Sequence, residues 1–168
     1  MALTDTLARV DGDLAAGRVP MARQRLRGLV SSFPHDHALR RRLAEVYRLY
    51  GDPAEAGRWM YLEQDRSPEE TAAFAARYSD PVRRMRALAW RGPETAAGSA
   101  FAERELASVR LAASASAGRA LGWDTLPDYG SGTADEGSPG QSLAALGCLA
   151  LTLAFLAIWV NGLIALFD

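Results

Sequence analysis

Apolar residues recur at helical spacing from the start of the chain. Leu3, Leu7, Val10 and Leu14 share one face and stop at Gly17, which predicts a first helix. Pro20 suits an early helical position ahead of Ala22, Leu26, Leu29, Val30 and Phe33, so a second helix follows and breaks at Pro34. Asp36 then offers a cap for a third, whose stripe is Leu39, Leu43, Val46, Tyr47 and Tyr50, ending at Gly51. Asp52, Pro53 and Glu55 form a start signal for a fourth, carrying Ala56, Trp59, Met60 and Leu62.

The four helices contain a repeat. Gly17, Ala22, Leu26 and Pro34 recur as Gly51, Ala56, Met60 and Pro68, each pair 34 residues apart. The segment LAEVYRLYGDPAEAGRWM, with Leu43, Ala44, Tyr47, Gly51, Asp52, Ala56 and Met60 followed by Pro68, resembles a tetratricopeptide repeat. Small residues fall where helices must approach closely and large ones where they interdigitate. The first unit departs from the second at Arg9 and Asp13, where the second has Leu43 and Tyr47. The resemblance is clear over residues 17–68 and looser to about 118. It implies a short helical-hairpin solenoid whose concave face binds a protein or peptide. A short helical-repeat body with a C-terminal anchor also resembles uncharacterised small proteins of high-GC bacteria.

Beyond Pro68 the period fails while helicity persists. Ser67, Pro68 and Glu70 start a helix through Phe74 and Tyr78; Asp80 and Pro81 start another through Val82, Met85, Leu88 and Trp90, and the two read as a shortened third hairpin. After Gly92 and Pro93, a long alanine-rich helix from Glu94 to about Ala115, with Ala102, Leu106, Val109 and Ala113 at helical spacing, is placed to cover the last apolar face. From 118 to 141 Gly, Pro, Ser and Asp replace the helical pattern, which reads as a flexible acidic linker; Trp123, Leu126 and Tyr129 interrupt its polarity.

The most hydrophobic stretch comes last. Leu143 to Phe167 carries no charged residue, and Asn161 is its one strongly polar side chain. Inside lipid such a run satisfies its backbone only as a helix, and at about 1.5 Å per residue it spans roughly 37 Å, enough to cross a bilayer core of about 30 Å. The expected architecture is therefore all-α: a helical body (1–117), a linker (118–141) and one transmembrane anchor (142–168).

Charge refines that picture. Residues 1–120 hold all 19 arginines and 15 acidic residues, net +4, whereas 121–140 hold four acids and no base. Lysine is absent. Cys148 is the only cysteine, so no intramolecular disulfide forms. The N-terminus has early acids and no apolar signal region, which predicts a cytoplasmic body on a single-pass membrane protein.

No constellation for catalysis emerges. His35 and His37 flank Asp36, but at a turn with no second ligand cluster, so a solvated cap is expected rather than a metal site. Glu69 and Glu70 are adjacent and favour the positive end of a helix over acid–base chemistry. No cofactor, metal or catalytic residue is assigned.

A binding surface is the better expectation. Arg41, Glu45 and Arg48 project together from the third helix, with Leu7, Asp11 and Leu14 at the corresponding places in the first, making a mixed groove with an apolar edge beside a cationic ridge. Arg41 and Arg48 suit bidentate capture of a carboxylate or an acidic peptide. The plainer alternative is a solvent-facing network in which Glu45 pairs with both arginines.

Runs such as Arg40–Arg42 and Arg83–Arg86 are too few and lack interleaved aromatics for nucleic acid; anionic headgroups fit better, and ordinary solvated helix faces fit best. Asn161 and Gly162 suit contact with another transmembrane helix. The leading expectation is a non-enzymatic, tail-anchored adaptor or scaffold. The alternatives are an immunity-type inhibitor of a membrane-acting toxin and, behind it, a membrane-bound hydrolase.

Overall fold

Short cap signals set most of the helix starts. The computed structural model describes residues 3–125, and within them the protein is all-α: α1 (Leu3–Ala15), α2 (Val19–Ser32), α3 (His37–Leu49), α4 (Pro53–Met60), α5 (Pro68–Arg77), α6 (Pro81–Ala87), a 3₁₀ turn (Glu94–Ala97) and α7 (Ala100–Ala117). The Asp36, Asp52, Ser67, Asp80 and Ser99 side chains accept the backbone N–H three residues on, at 2.7 to 3.3 Å, satisfying a donor that the helix leaves open. Proline follows directly at 53, 68 and 81, where its missing N–H costs nothing.

The helical positions of the repeat are core positions, and its turn positions Gly17, Pro34, Gly51 and Pro68 are not. Ala22, Leu26, Ala56 and Met60 are all buried and belong to one apolar cluster with Val10, Leu29, Val30, Leu39, Leu43, Val46, Tyr47 and Trp59. Successive helices pack as α1 on α2, α2 on α3, and α3 on α4. Where the first unit has Asp13 in place of Tyr47, a buried carboxylate held by two partly exposed arginines replaces apolar packing. Asp13 is only 5% exposed and accepts Arg18 Nε at 3.0 Å and Arg25 Nε at 2.8 Å. The Arg25 bond, helped by Arg18 and opposed by burial, holds this carboxyl below the usual range.

A second cluster takes over at Leu62 and runs through Phe74, Met85, Leu88, Trp90, Ala97, Leu106 and Val109 to Leu121 and Trp123. Here the expected third hairpin is rearranged. The residues of α5 lie along α4 and those of α6 along α7, and Arg84 of α6 donates to the Tyr78 and Ala75 carbonyls at the end of α5 at 3.0 and 3.1 Å. The α4–α5 crossing is close because Gly57 permits it; a Cβ built there would lie 2.0 Å from the Glu70 carbonyl oxygen.

The expected continuous helix from Glu94 to Ala115 is also divided. Gly98 turns left-handed at φ 71, and Ser99 then caps a fresh helix, so only Ala100–Ala117 is α-helical. After it the chain does not leave the body at 118. Leu121 and Trp123 are buried, Trp123 Nε1 donates to Glu94 Oε1 at 3.1 Å, and Gly92 N donates to Asp124 Oδ1 at 3.0 Å. Trp123 thus docks. Leu126, Tyr129, the rest of the expected linker and the expected anchor lie outside the described residues. Among the described residues no helix is long and apolar enough to cross a membrane.

The two clusters meet at a polar seam. Arg40 is 1% exposed and donates to the Pro34 carbonyl at 3.3 Å and to the Leu88 carbonyl, with its guanidinium over the Trp59 ring. Arg58 covers the same ring and donates to the Ala87 carbonyl, so two arginines cap the C-terminal end of α6. Burial, with Arg58 nearby, pushes the Arg40 guanidinium down to about 9. His35 joins the seam, its ring 4.5 Å from Trp90 and its Nε2 donating to the Arg91 carbonyl at 2.6 Å.

Candidate functional site

The site expected from the sequence centres on α3, and its residues part company there. Arg41, Glu45 and Arg48 do project from one side of the helix, as spacings of four and three require. The two guanidiniums are already engaged, and by groups other than Glu45. Arg41 donates to Asp65 at 2.8 and 2.9 Å and to Glu63 Oε2 at 2.7 Å. Arg48 grips Glu70 bidentately at 2.6 and 2.8 Å. The Asp65 and Glu63 bonds raise Arg41 above its ordinary value; the Glu70 bond, with Glu45 adding to it through space, does the same for Arg48.

These carboxylates come from the turn after α4 and the first residues of α5, so the arginines stitch α3 to the next helical layer. Glu63 is shared, since its other oxygen lies 2.7 Å from His37 Nδ1. Arg42 reaches the other way, to Asp11 of α1. Asp11 is therefore exposed and ion-paired, whereas Leu7 and Leu14 are partly buried and pack against the N-terminal core. Of the three, Asp11 is the one that makes an ion pair with α3.

Electrostatically the α3 face differs from a cationic ridge. Glu45, Glu63, Asp65 and Glu70 outnumber Arg41 and Arg48 by two, and Glu45 stands exposed between the arginines. The partners of the arginines carry no local signal in the sequence, because they lie 22 to 24 residues away. The Ser67 cap, which fixes where α5 begins and so where Glu70 points, is the one clue that was available.

A second concavity lies along α5, where Pro68, Thr71, Ala72 and Ala75 form a shallow open floor beside Phe101 and Arg66. Arg66 is held by Glu105 at 3.0 Å and lies over both the Tyr61 and Phe101 rings. Among the described residues no group of three or more His, Cys, Asp or Glu is placed to hold a metal; His35 and His37 turn to different partners.

The described residues thus make an all-α body with a charged helix face stitched to its neighbours. The chain belongs to a family of unknown function (DUF6584), matched over residues 1–168. No curated protein and no solved structure is significantly similar to it.

Proposed function

We propose that the protein is a non-enzymatic adaptor whose helical body docks a protein or peptide on the exposed face of α3, while residues 142–168 anchor it as a single transmembrane helix with the body on the cytoplasmic side. In this reading α1–α4 are two hairpins of tetratricopeptide-like type, and the irregular elements after Pro68 close their open end. The observation that carries the proposal is the ion-pair network that ties down the α3 face. Arg41 and Arg48 are long, flexible side chains, yet each is fixed by two or more charge-assisted bonds to backbone-anchored neighbours. Ordering such chains on binding costs about 0.5–1.5 kcal/mol each, so a face ordered in advance is a better docking surface than a mobile one.

The test uses the full chain. Carbonate extraction should leave it in the membrane fraction, and removal of residues 142–168 should release it; an intact chain found in the supernatant would sink the anchor. Partner capture in gentle detergent should be lost on Glu45→Lys, which reverses an exposed charge on the α3 face and touches no fold-holding bond. Arg41→Ala and Arg48→Ala are poorer tests, because the first also unstitches α3 from the turn after α4 and the second from α5. Capture that ignores Glu45→Lys moves the docking surface elsewhere.

A further inference from the structure

Resting on the adaptor reading, we infer that the partner presented to α3 is a cationic, amphipathic segment of a protein, Arg- or Lys-rich with interspersed large apolar residues. Both arginines of this face spend their bidentate geometry on carboxylates of the same chain: Arg41 on Asp65 and Glu63, Arg48 on Glu70. An incoming carboxylate would have to displace a tethered one held at high effective concentration, and would meet Glu45 between the two pairs. A cation meets the opposite situation. The face holds two carboxylates in excess of its guanidiniums, and Asp65 and Glu45 are solvent-facing. At the neighbouring Asp11–Arg42 contact the charges are balanced.

The apolar half of the recognition comes from Leu49. One turn beyond Glu45 and on the same side of α3, it is 67% exposed. A basic residue opposite Glu45 and an apolar residue one helical turn further on would meet Glu45 and Leu49 together, which is the pattern of an amphipathic helix laid against this face. Charge then sets register and encounter rate, and Leu49 supplies the desolvated contact.

The probe is a fluorescein-labelled peptide alternating arginine and leucine, with a counterpart in which glutamate replaces arginine. Both are titrated against the full chain in nonionic micelles, with empty micelles as blank. The Arg–Leu peptide should bind more tightly than the Glu–Leu peptide, more weakly as salt rises, and about tenfold more weakly to Glu45→Lys, as expected for a like charge placed against it. Leu49→Asp should weaken binding while helicity stays unchanged, since the side chain is exposed. Glu103→Lys, an equal charge change on α7, should leave affinity as it was.

If the Glu–Leu peptide binds more tightly and gains from Glu45→Lys, the arginines do release their carboxylates; the sign of the partner is then wrong, while α3 remains the docking face. If neither peptide responds to Glu45→Lys or Leu49→Asp, the docking face itself is wrong and the adaptor reading goes with it.

Discussion

The N-terminal cluster and the C-terminal cluster solve the same problem, covering the apolar face of a helix, in different ways. From α1 to α4 each helix is covered by the next through complementary large and small residues. Repetition makes this possible, because Ala22 and Leu26 do in the first pair what Ala56 and Met60 do in the second. From α5 onward the helices are of very unequal length, 10, 7 and 18 residues, and α5 and α6 pack little on each other. Backbone carbonyls at helix ends are instead taken up by arginines: Arg84 on α5, and Arg58 and Arg40 on α6. A helical array can thus leave its period without losing its core, provided that cationic side chains satisfy the helix ends that irregular packing exposes.

Trp123→Ala should have the largest effect. Trp123 belongs only to the C-terminal cluster and is 7% exposed, and truncating a buried Trp costs about 4 kcal/mol. Hydrogen exchange should show protection falling in α6 and α7 while α2 and α3 keep theirs. An equal loss across all helices would mean that the two clusters form one cooperative unit.

Glycine substitutions sharpen the contrast at a smaller scale. Gly57→Ala should cost about 3 kcal/mol in urea unfolding, because the new methyl runs into the Glu70 carbonyl and α5 must move away. Gly28→Ala in α2 should act in the opposite sense, raising stability by about 0.5–1 kcal/mol, since nothing lies within 4 Å of its Cβ position. Opposite signs for one chemical change would locate the tight crossing at α4–α5.

Acid should have the smallest and most distributed effect. Arg25 and Arg18 lower the Asp13 carboxyl, and Arg41 lowers Asp65. Burial raises Glu94, but its bonds to Arg110 and Trp123 outweigh that and hold it below its ordinary 4.5. Groups lowered in the folded state stabilise it fully above their unfolded values, 3.8 for aspartate and 4.5 for glutamate, and that stability drains away as pH falls through the folded values. Melting temperature should therefore be flat above about pH 5 and fall below it. Asp13→Asn should remove part of that slope from the N-terminal cluster, and Glu94→Gln from the C-terminal one.

Much of the fold was legible because its signals are local. Caps at Asp36, Asp52, Ser67 and Asp80, each but the first followed by proline, announce helices wherever they stand, and the 34-residue recurrence announced the regular half. What stayed hidden depends on distant partners. Arg40 sits in a run of three arginines that reads as a solvated face, yet one of its carbonyl partners lies 48 residues away and leaves no trace near it. The α3 site shows the same limit. Spacing brought Arg41, Glu45 and Arg48 to one face, but nothing local said that Glu63, Asp65 and Glu70 would fold back on the arginines. Trp123 was obscured by its polar neighbours, which make a docked strap look like the start of a linker.

Arg40 has a consequence for how the chain is made. Translation delivers α1–α4 well before Leu88, and until that residue arrives the guanidinium has only the nearby Pro34 carbonyl to satisfy it. The nascent first half must keep that edge hydrated, so its maturation waits on the second half leaving the ribosome.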